Sequence, residues 1–433
     1  MLLPFQGVNT MAIRDPGCRF ACPGLCAPLG FQPALVKYET SIKTEFLHSN
    51  KIHCIMFKHI KFAALALLLS AGFAACSEND DPQPSPNPVR GEAGMYVINQ
   101  GNQGTKLSSS IDFISVNGTA NVSSMFQAAN NQALGSSAQK PIIYGSKMYI
   151  PMYDNNLVWV ADANTLKIVA KIETNAPEAV CGSEGYVFVN NNDGYVTRVD
   201  TTNFAKSQIE VGPNPASLGI TAYEGKVYVS ISDGYNYNNK DPKDNYANGK
   251  KVAVIDAKTF TKEKDIAVGL NPGQITTDAY GNVFVVCMGN YGDVAPEVWK
   301  IDRATSVASK FCNGSLIATR GAQDRGSRAL AAEDALYVIN SVTDWNTYVT
   351  TLTSTVYSTT TGAVVLESFL PSDNLPVSTT AIDINPSTGD VYVCSDAAQN
   401  DYTSPGYINV YNANGTFLRR LSAGVHPYGV VFK

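Results

Sequence analysis

Seven times along this 433-residue chain, two bulky apolar residues sit at the centre of a short run of strand-forming side chains. The pairs are Tyr96-Val97, Tyr149-Ile150, Val187-Phe188, Tyr228-Val229, Phe284-Val285, Tyr337-Val338 and Tyr392-Val393, at intervals of 53, 38, 41, 56, 53 and 55 residues. A second run follows each: SIDFIS (110–115), LVWVAD (157–162), YVTRVD (195–200), KVAVID (251–256), EVWKID (297–302), TVYSTT (355–360) and YINVYN (407–412). β-Branched and aromatic residues alternating with polar ones fit a pleated, half-buried strand. The copy at 216–272 is the clearest, with four strand patterns (ASLGITAY, KVYVSIS, KVAVID, KDIAVG) and tight connections at Glu224-Gly225 and Asp256 to Thr259. One such sheet would expose two apolar faces and could not stand alone, so the copies must pack on one another. Four strands recurring every 40–50 residues predict an all-β, seven-bladed β-propeller.

The ends predict how the ring closes. The last residues, HPYGVVFK (426–433), match the first strand of a blade, as in NPASLGIT and NPGQITTD, and the chain stops there. The missing second strand is MYVIN (95–99), so N- and C-terminal strands are expected to pair and remove the exposed edges. The propeller is thus placed at 92–433 as one domain.

Ahead of it, residues 1–55 carry no sustained period and read as a gene-start extension rather than a folded domain. Cys18, Cys22 and Cys26 match no standard ligand spacing. From Met56 the pattern changes: Lys58, His59 and Lys61 precede the apolar run FAALALLLSAGFAA (62–75), then Cys76. That run is short for a membrane span and reads as a secretion signal over 56–75. Residues 76–91 are polar and proline-rich, a tether. After removal of residues 1–75 the chain holds 25 Lys and Arg against 34 Asp and Glu, a net charge of −9 that argues against nucleic acid as a partner.

Function is expected on one rim. Strands in a blade alternate direction, so second-to-third connections and the links between blades share a face, and the other connections share the opposite one. The first group is mostly long: 99–109, 230–250, 287–296, 340–353 and 394–406. It collects Tyr153, Tyr235, Tyr237, Tyr246, Tyr291, Trp345, Tyr348 and Tyr402 among Asn and Asp. Rigid aromatic rings with polar tips, interleaved with amides, suit a bulky, polar, uncharged ligand. The segment ATRGAQDRGSR (318–328) reads as an inter-blade link on this face, placing Arg320, Arg325 and Arg328 near His426. Asp233, Asn238, Asp241 and Asp244 lack the order of a calcium loop, and no metal site is expected. The propeller has one histidine, His426, which excludes a His-ligated metal centre. No phosphate loop, dinucleotide glycine pattern or nucleophile elbow occurs, so the chain reads as a non-enzyme needing no cofactor. Cys181, Cys287, Cys312 and Cys394 read as small core residues.

Two sets of motifs carry a family resemblance. Phe73-Ala74-Ala75-Cys76 resembles a bacterial lipobox, with Cys76 the lipidated residue, and the acidic stretch Ser77 to Asp81 resembles a cell-surface export signal of Bacteroides-type lipoproteins. MYVINQGNQG (95–104), the VG-x-NP links at 211–215 and 268–272, and NVFVVCMGNYGD (282–293) resemble YncE-like seven-bladed propellers. Within that group the BtuG-type proteins capture cobalamin and pass it to a TonB-dependent transporter, with Gln100 here in place of that group's Glu. The resemblance implies an outer-membrane, surface-exposed lipoprotein, touching the membrane through its anchor alone and binding a nutrient, cobalamin by preference. A glycan-binding or glycan-cleaving propeller and an envelope protein scaffold are the alternatives.

Overall fold

A computed structural model of the protein describes residues 93–116, 121–234, 236, 246–291, 293–320, 334–344 and 349–433. The expected signal segment (56–75), Cys76 and the expected tether lie outside them, as do Tyr235, Tyr237, Asn238, Asp241, Asp244, Arg325, Arg328, Trp345 and Tyr348. Chain order begins with β1 (Gly94–Asn99), β2 (Ser110–Ser115), β3 (Asn121–Val122) and a short helix α1 (Met125–Asn130). Blade two is β4 (Ile142–Tyr144), β5 (Lys147–Met152), β6 (Leu157–Asp162) and β7 (Ile168–Glu173). Blade three is β8 (Pro177–Ser183), β9 (Tyr186–Asn191), β10 (Tyr195–Asp200) and β11 (Lys206–Glu210). Blade four is β12 (Pro215–Tyr223), β13 (Lys226–Ile231), β14 (Lys251–Asp256) and β15 (Thr261–Ala267). Blade five is β16 (Pro272–Thr277), β17 (Val283–Cys287), β18 (Glu297–Ile301) and β19 (Ala308–Asn313). Blade six is β20 (Leu316–Thr319), β21 (Ala335–Asp344), β22 (Val349–Ser358) and β23 (Val364–Glu367). Blade seven is β24 (Thr379–Ile384), β25 (Val391–Ser395), β26 (Pro405–Tyr411) and β27 (Phe417–Val425). The last strand, β28 (Pro427–Phe432), pairs antiparallel with β1 and completes blade one in the order β28-β1-β2-β3. The result is a seven-bladed β-propeller with the closure that the sequence predicts.

The second strands are buried on both faces, which is why their centres repeat as bulky pairs: Tyr96, Val97, Tyr149, Ile150, Val187, Phe188, Phe284 and Val285 have no exposed surface. Blades are also stapled to their successors. Tyr96 Oη donates to Ala163 O at 2.6 Å, Lys147 Nζ to Thr201 O at 3.1 Å, Arg198 Nη1 to Lys258 O at 3.0 Å, Lys300 Nζ to Thr359 O at 2.7 Å and Tyr337 Oη to Ala413 O at 3.1 Å. In every case a second- or third-strand side chain caps the third-to-fourth turn of the next blade. In blade one, α1 stands where the fourth strand ends early, burying Met125 and Phe126, the latter 5.9 Å from the Trp159 ring. Cys181, Cys287 and Cys394 are buried and Cys312 half-buried, all as thiols, and burial pushes the Cys312 thiol up to about 12.

The turns at the ends of the third strands share one device. Asp200 accepts the N–H groups of Thr202 (2.8 Å) and Asn203 (3.0 Å), Asp256 those of Lys258 (3.1 Å) and Thr259 (2.8 Å), and Asp302 that of Thr305 (2.8 Å). These bonds hold all three carboxyls below the usual carboxylate range, led by the N–H groups of Asn203, Thr259 and Thr305 respectively. A depressed folded-state value stabilises the fold above the unfolded value and loses that contribution as pH falls through the folded one. Thermal melts are therefore expected to drop on acidification below about pH 4. In an Asp200→Asn/Asp302→Asn variant the drop should be shallower.

Candidate functional site

The links between blades and the second-to-third loops meet on one face, as strand parity requires. Asn192 N–H bonds Ala176 O (2.9 Å), Ser232 N–H bonds Asn214 O (3.1 Å), Met288 N–H bonds Asn271 O (2.9 Å) and Gln100 N–H bonds His426 O (2.9 Å). Each acceptor directly precedes the proline opening an innermost strand. All four take a left-handed φ, of 40°, 49°, 56° and 52° for Ala176, Asn214, Asn271 and His426. Asparagine tolerates that conformation well. His426 therefore occupies a strained link position where two equivalent links carry Asn.

Its surroundings make this the most chemically distinctive point of the face. His426 Nδ1 lies 2.9 Å from Asp396 Oδ1, at the start of the loop after β25, and Asp396 has no exposed surface. The His426 ring stacks on Tyr428, centroids 6.0 Å apart and 23° between planes, and meets Tyr402 edge-on at 6.0 Å. Tyr428 is the extra residue of a β-bulge, since Pro427 pairs with Asn99 and Gly429 with Ile98. Freed from the ladder, its side chain crosses the centre of the ring: Tyr428 Oη lies 2.8 Å from Ser217 Oγ, three blades away, and Ser217 Oγ donates to Gln139 Oε1 at 3.1 Å. Ser217 reaches inward because β12 carries its own irregularity between Pro215 and Ile220. Gln139 has no exposed surface and Tyr428 is 7% exposed, so the axis is packed at this level. Across the ring, Glu178 is the bulge residue of β8 and accepts Asn192 Nδ2–H at 2.7 Å.

Of the residues expected at this face, Tyr402 and His426 come together. Tyr291 stands apart, 40% exposed, its hydroxyl accepting Asn271 Nδ2–H at 3.4 Å. Tyr153 and Tyr246 are 3% and 5% exposed, their rings packed beneath the loops, so they offer a ligand little surface. Asp233 accepts Asn236 Nδ2–H and Asn248 N–H, each at 3.0 Å, and so organises the root of its own loop. Among the described residues no cluster of acidic, Cys or His side chains could hold a metal ion.

The arginine placement needs correction. β20 ends at Thr319 and β21 begins at Ala335, so 320–334 joins a first strand to a second rather than one blade to the next, and the strand ends it connects lie on the face opposite His426. Arg320 shows this directly, donating to Pro386 O (3.1 Å) and Ser387 O (3.4 Å) in the equivalent connection of blade seven. Arg325 and Arg328 lie outside the described residues. Asp396, Tyr428, Ser217 and Gln139 were not expected. Each comes from a different strand or link, and only the repeat register could have aligned them.

One family model, described as a domain of unknown function (DUF5074), matches residues 93–432, the whole ring. The chain belongs to the DUF5074 family. No curated protein matches the sequence. Among solved structures, this DUF5074 propeller is similar to a quinonprotein alcohol dehydrogenase-like protein from Bacteroides thetaiotaomicron, at 17% identity and a TM-score of 0.56, covering 79% of this chain and 78% of that one. It is also similar to the hydrazine synthase of Kuenenia stuttgartiensis, at 16% identity and a TM-score of 0.51, covering 66% of this chain and 86% of that one. At such identities the likeness is one of fold, which does not carry chemistry with it. The resemblance to YncE-like and BtuG-type proteins rests on the sequence motifs alone.

Proposed function

We propose that this DUF5074 protein is a lipid-anchored binding protein of the cell surface that captures a nutrient on its long-loop face and hands it to a TonB-dependent outer-membrane transporter. Cobalamin or a related corrinoid is the ligand that the motif resemblance favours. The observation that carries the binding reading is the stack Tyr402–His426–Tyr428 at the axial end of that face. Tyr402 is its half-buried outer member. His426 and Tyr428 lie buried behind it, fixed by Asp396 on one side and Ser217 on the other. A ring held from behind presents its surface with little entropy left to lose, which is what a gripping residue needs.

Calorimetric titration with cyanocobalamin tests the reading. Tyr402→Ala is expected to weaken binding about tenfold, the scale of a single well-packed interface residue. Trp345→Ala and Tyr237→Ala, in two other long second-to-third connections of the sequence, should weaken it too, and the ligand should be recovered chemically unchanged. Equal affinity in all three variants would count decisively against the long-loop face. Release of new reducing ends from polysaccharide would favour a glycan-directed propeller instead.

A further inference from the structure

Blade six departs from the other six in the length of its central hairpin. Its second and third strands run ten residues each, and their ladder continues through Asn340–Thr353, Ser341–Leu352, Val342–Thr351, Thr343–Thr350 and Asp344–Val349. The neighbours stop earlier. β20 pairs with β21 only at Leu336 to Ile339, and β23 pairs with β22 only at Thr355 to Tyr357. The rungs at Asn340 and Ser341 are still tied to the blade, Ser341 N–H donating to Ser315 Oγ at 3.1 Å and Leu352 packing on the core, while the last three, Val342–Thr351 to Asp344–Val349, stand beyond it on the long-loop face, rising about 10 Å. Along 349–353 the outer side of β22 has no sheet neighbour among the described residues.

An open edge of that kind is ordinarily protected by charge. The rest of this molecule follows the rule. Every outermost strand of four residues or more carries charged side chains: Lys171 and Glu173 in β7, Lys206 and Glu210 in β11, Lys262 to Asp265 in β15, Lys310 in β19, Glu367 in β23, and Arg419 and Arg420 in β27. The free edge of β22 reads Val-Thr-Thr-Leu-Thr, with no charge, proline or glycine. The protection seen on six outermost strands is missing at this edge.

We propose that this edge pairs with the same edge of a second copy of the chain, antiparallel about a two-fold axis through Thr351. That register sets Thr351 opposite Thr351, Thr350 opposite Leu352 and Val349 opposite Thr353. Every position is an uncharged strand former, and none meets a like charge across the axis, the usual obstacle to self-pairing. The two ribbons become a four-stranded sheet. One face carries the row Val342–Thr351–Thr351–Val342, and both residues are exposed in the single chain. The other face carries Thr343–Thr350–Leu352–Ser341, in which Thr343 Oγ1 and Thr350 Oγ1 already lie 3.0 Å apart. A five-residue seam is far smaller than a standard interface, so the association is weak and reversible.

Sedimentation equilibrium of the folded, tether-bearing protein from low micromolar to about 1 mM tests this, with and without cobalamin, so that pairing and ligand binding are read separately. Reversible dimerisation is expected in both conditions. Thr351→Lys, which sets two ammonium groups face to face, should weaken it at least about tenfold while the melting curve stays unchanged. Should that variant misfold, Thr353→Lys serves in its place. Thr351→Cys should form a disulfide-linked dimer under mild oxidation, since directly opposed residues of an antiparallel pair stand within bridging distance, whereas Thr353→Cys should not. A protein that stays monomeric across the range overturns the proposal, as does association that Thr351→Lys leaves intact. Hydrogen-exchange protection at 349–353 that appears only on adding another envelope protein overturns it as well, and assigns the edge to that partner.

Discussion

Removing the last seven residues, Pro427 to Lys433, is expected to leave no folded propeller. β28 supplies the innermost strand of blade one, and its loss strips five paired positions from β1. Pro427, Tyr428 and Val430 are buried there, together worth about 5 kcal/mol of apolar burial. The ladder bonds contribute about 1 kcal/mol each. So do the contacts to neighbouring strands: Thr380 Oγ1 donates to Pro427 O, Asp383 accepts Val430 N–H at 2.8 Å, and Tyr428 spans to Ser217. The sum is of the order of the whole stability of a domain, about 5–15 kcal/mol, and the cut also bares an apolar strand edge at the centre of the molecule. Insoluble expression, or soluble protein without a cooperative melt, is the expected outcome. A truncated chain that melts cooperatively near the intact one would show that the ring closes by some other means.

Replacing Lys140 with methionine is expected to cost about 3 kcal/mol at neutral pH, because it leaves a carboxylate without its counter-charge in a buried site. Lys140 precedes β4, lies across Gly429 of β28, and forms an ion pair with Asp383 of β24, so one side chain ties three adjacent blades across the seam. Gly429 is needed for that crossing. Its φ is +150° and a Cβ there would come within 3.1 Å of Lys140 Cδ. Burial drives the Asp383 carboxyl above its usual range, while Lys140 and the Val430 N–H pull it back. Without the ammonium group the value rises further. A raised folded-state value favours the fold at low pH and loses that contribution as pH climbs through it. The Lys140→Met protein should therefore be more stable near pH 5 than near pH 8, read by chemical denaturation at both. Equal loss at the two pH values would mean that the lysine stem, not its charge, holds the seam.

The ring and its closure were legible because they are periodic: a bulky pair at each second strand, and one blade divided between a single C-terminal strand and the N-terminal strands. Blade six was misread for a related reason. The first strands of blades three, four, five and one open on Ala176-Pro177, Asn214-Pro215, Asn271-Pro272 and His426-Pro427, whereas β20 opens on Ser315-Leu316 and is four residues long. With that marker absent, the arginine-rich stretch after it passed for a link between blades. The site was legible only in part. Tyr402 and His426 stand out by residue type. Asp396, Ser217 and Gln139 act through contacts made across blades, which no local pattern encodes. Tyr153 and Tyr246 look like their exposed counterparts in sequence, and only packing separates a ring that roofs a loop from one that faces solvent.

The phenol that bridges from β28 to β12 also bears on the route open to the proposed ligand. Tyr428 and Gln139 are almost wholly shielded from water, so among the described residues the hub of the disc is packed at their level. On the proposed reading, a ligand taken up at the long-loop rim would leave through that same rim. Its receiver would then approach from outside and compete for the surface that holds it, a face-to-face exchange rather than passage through the molecule.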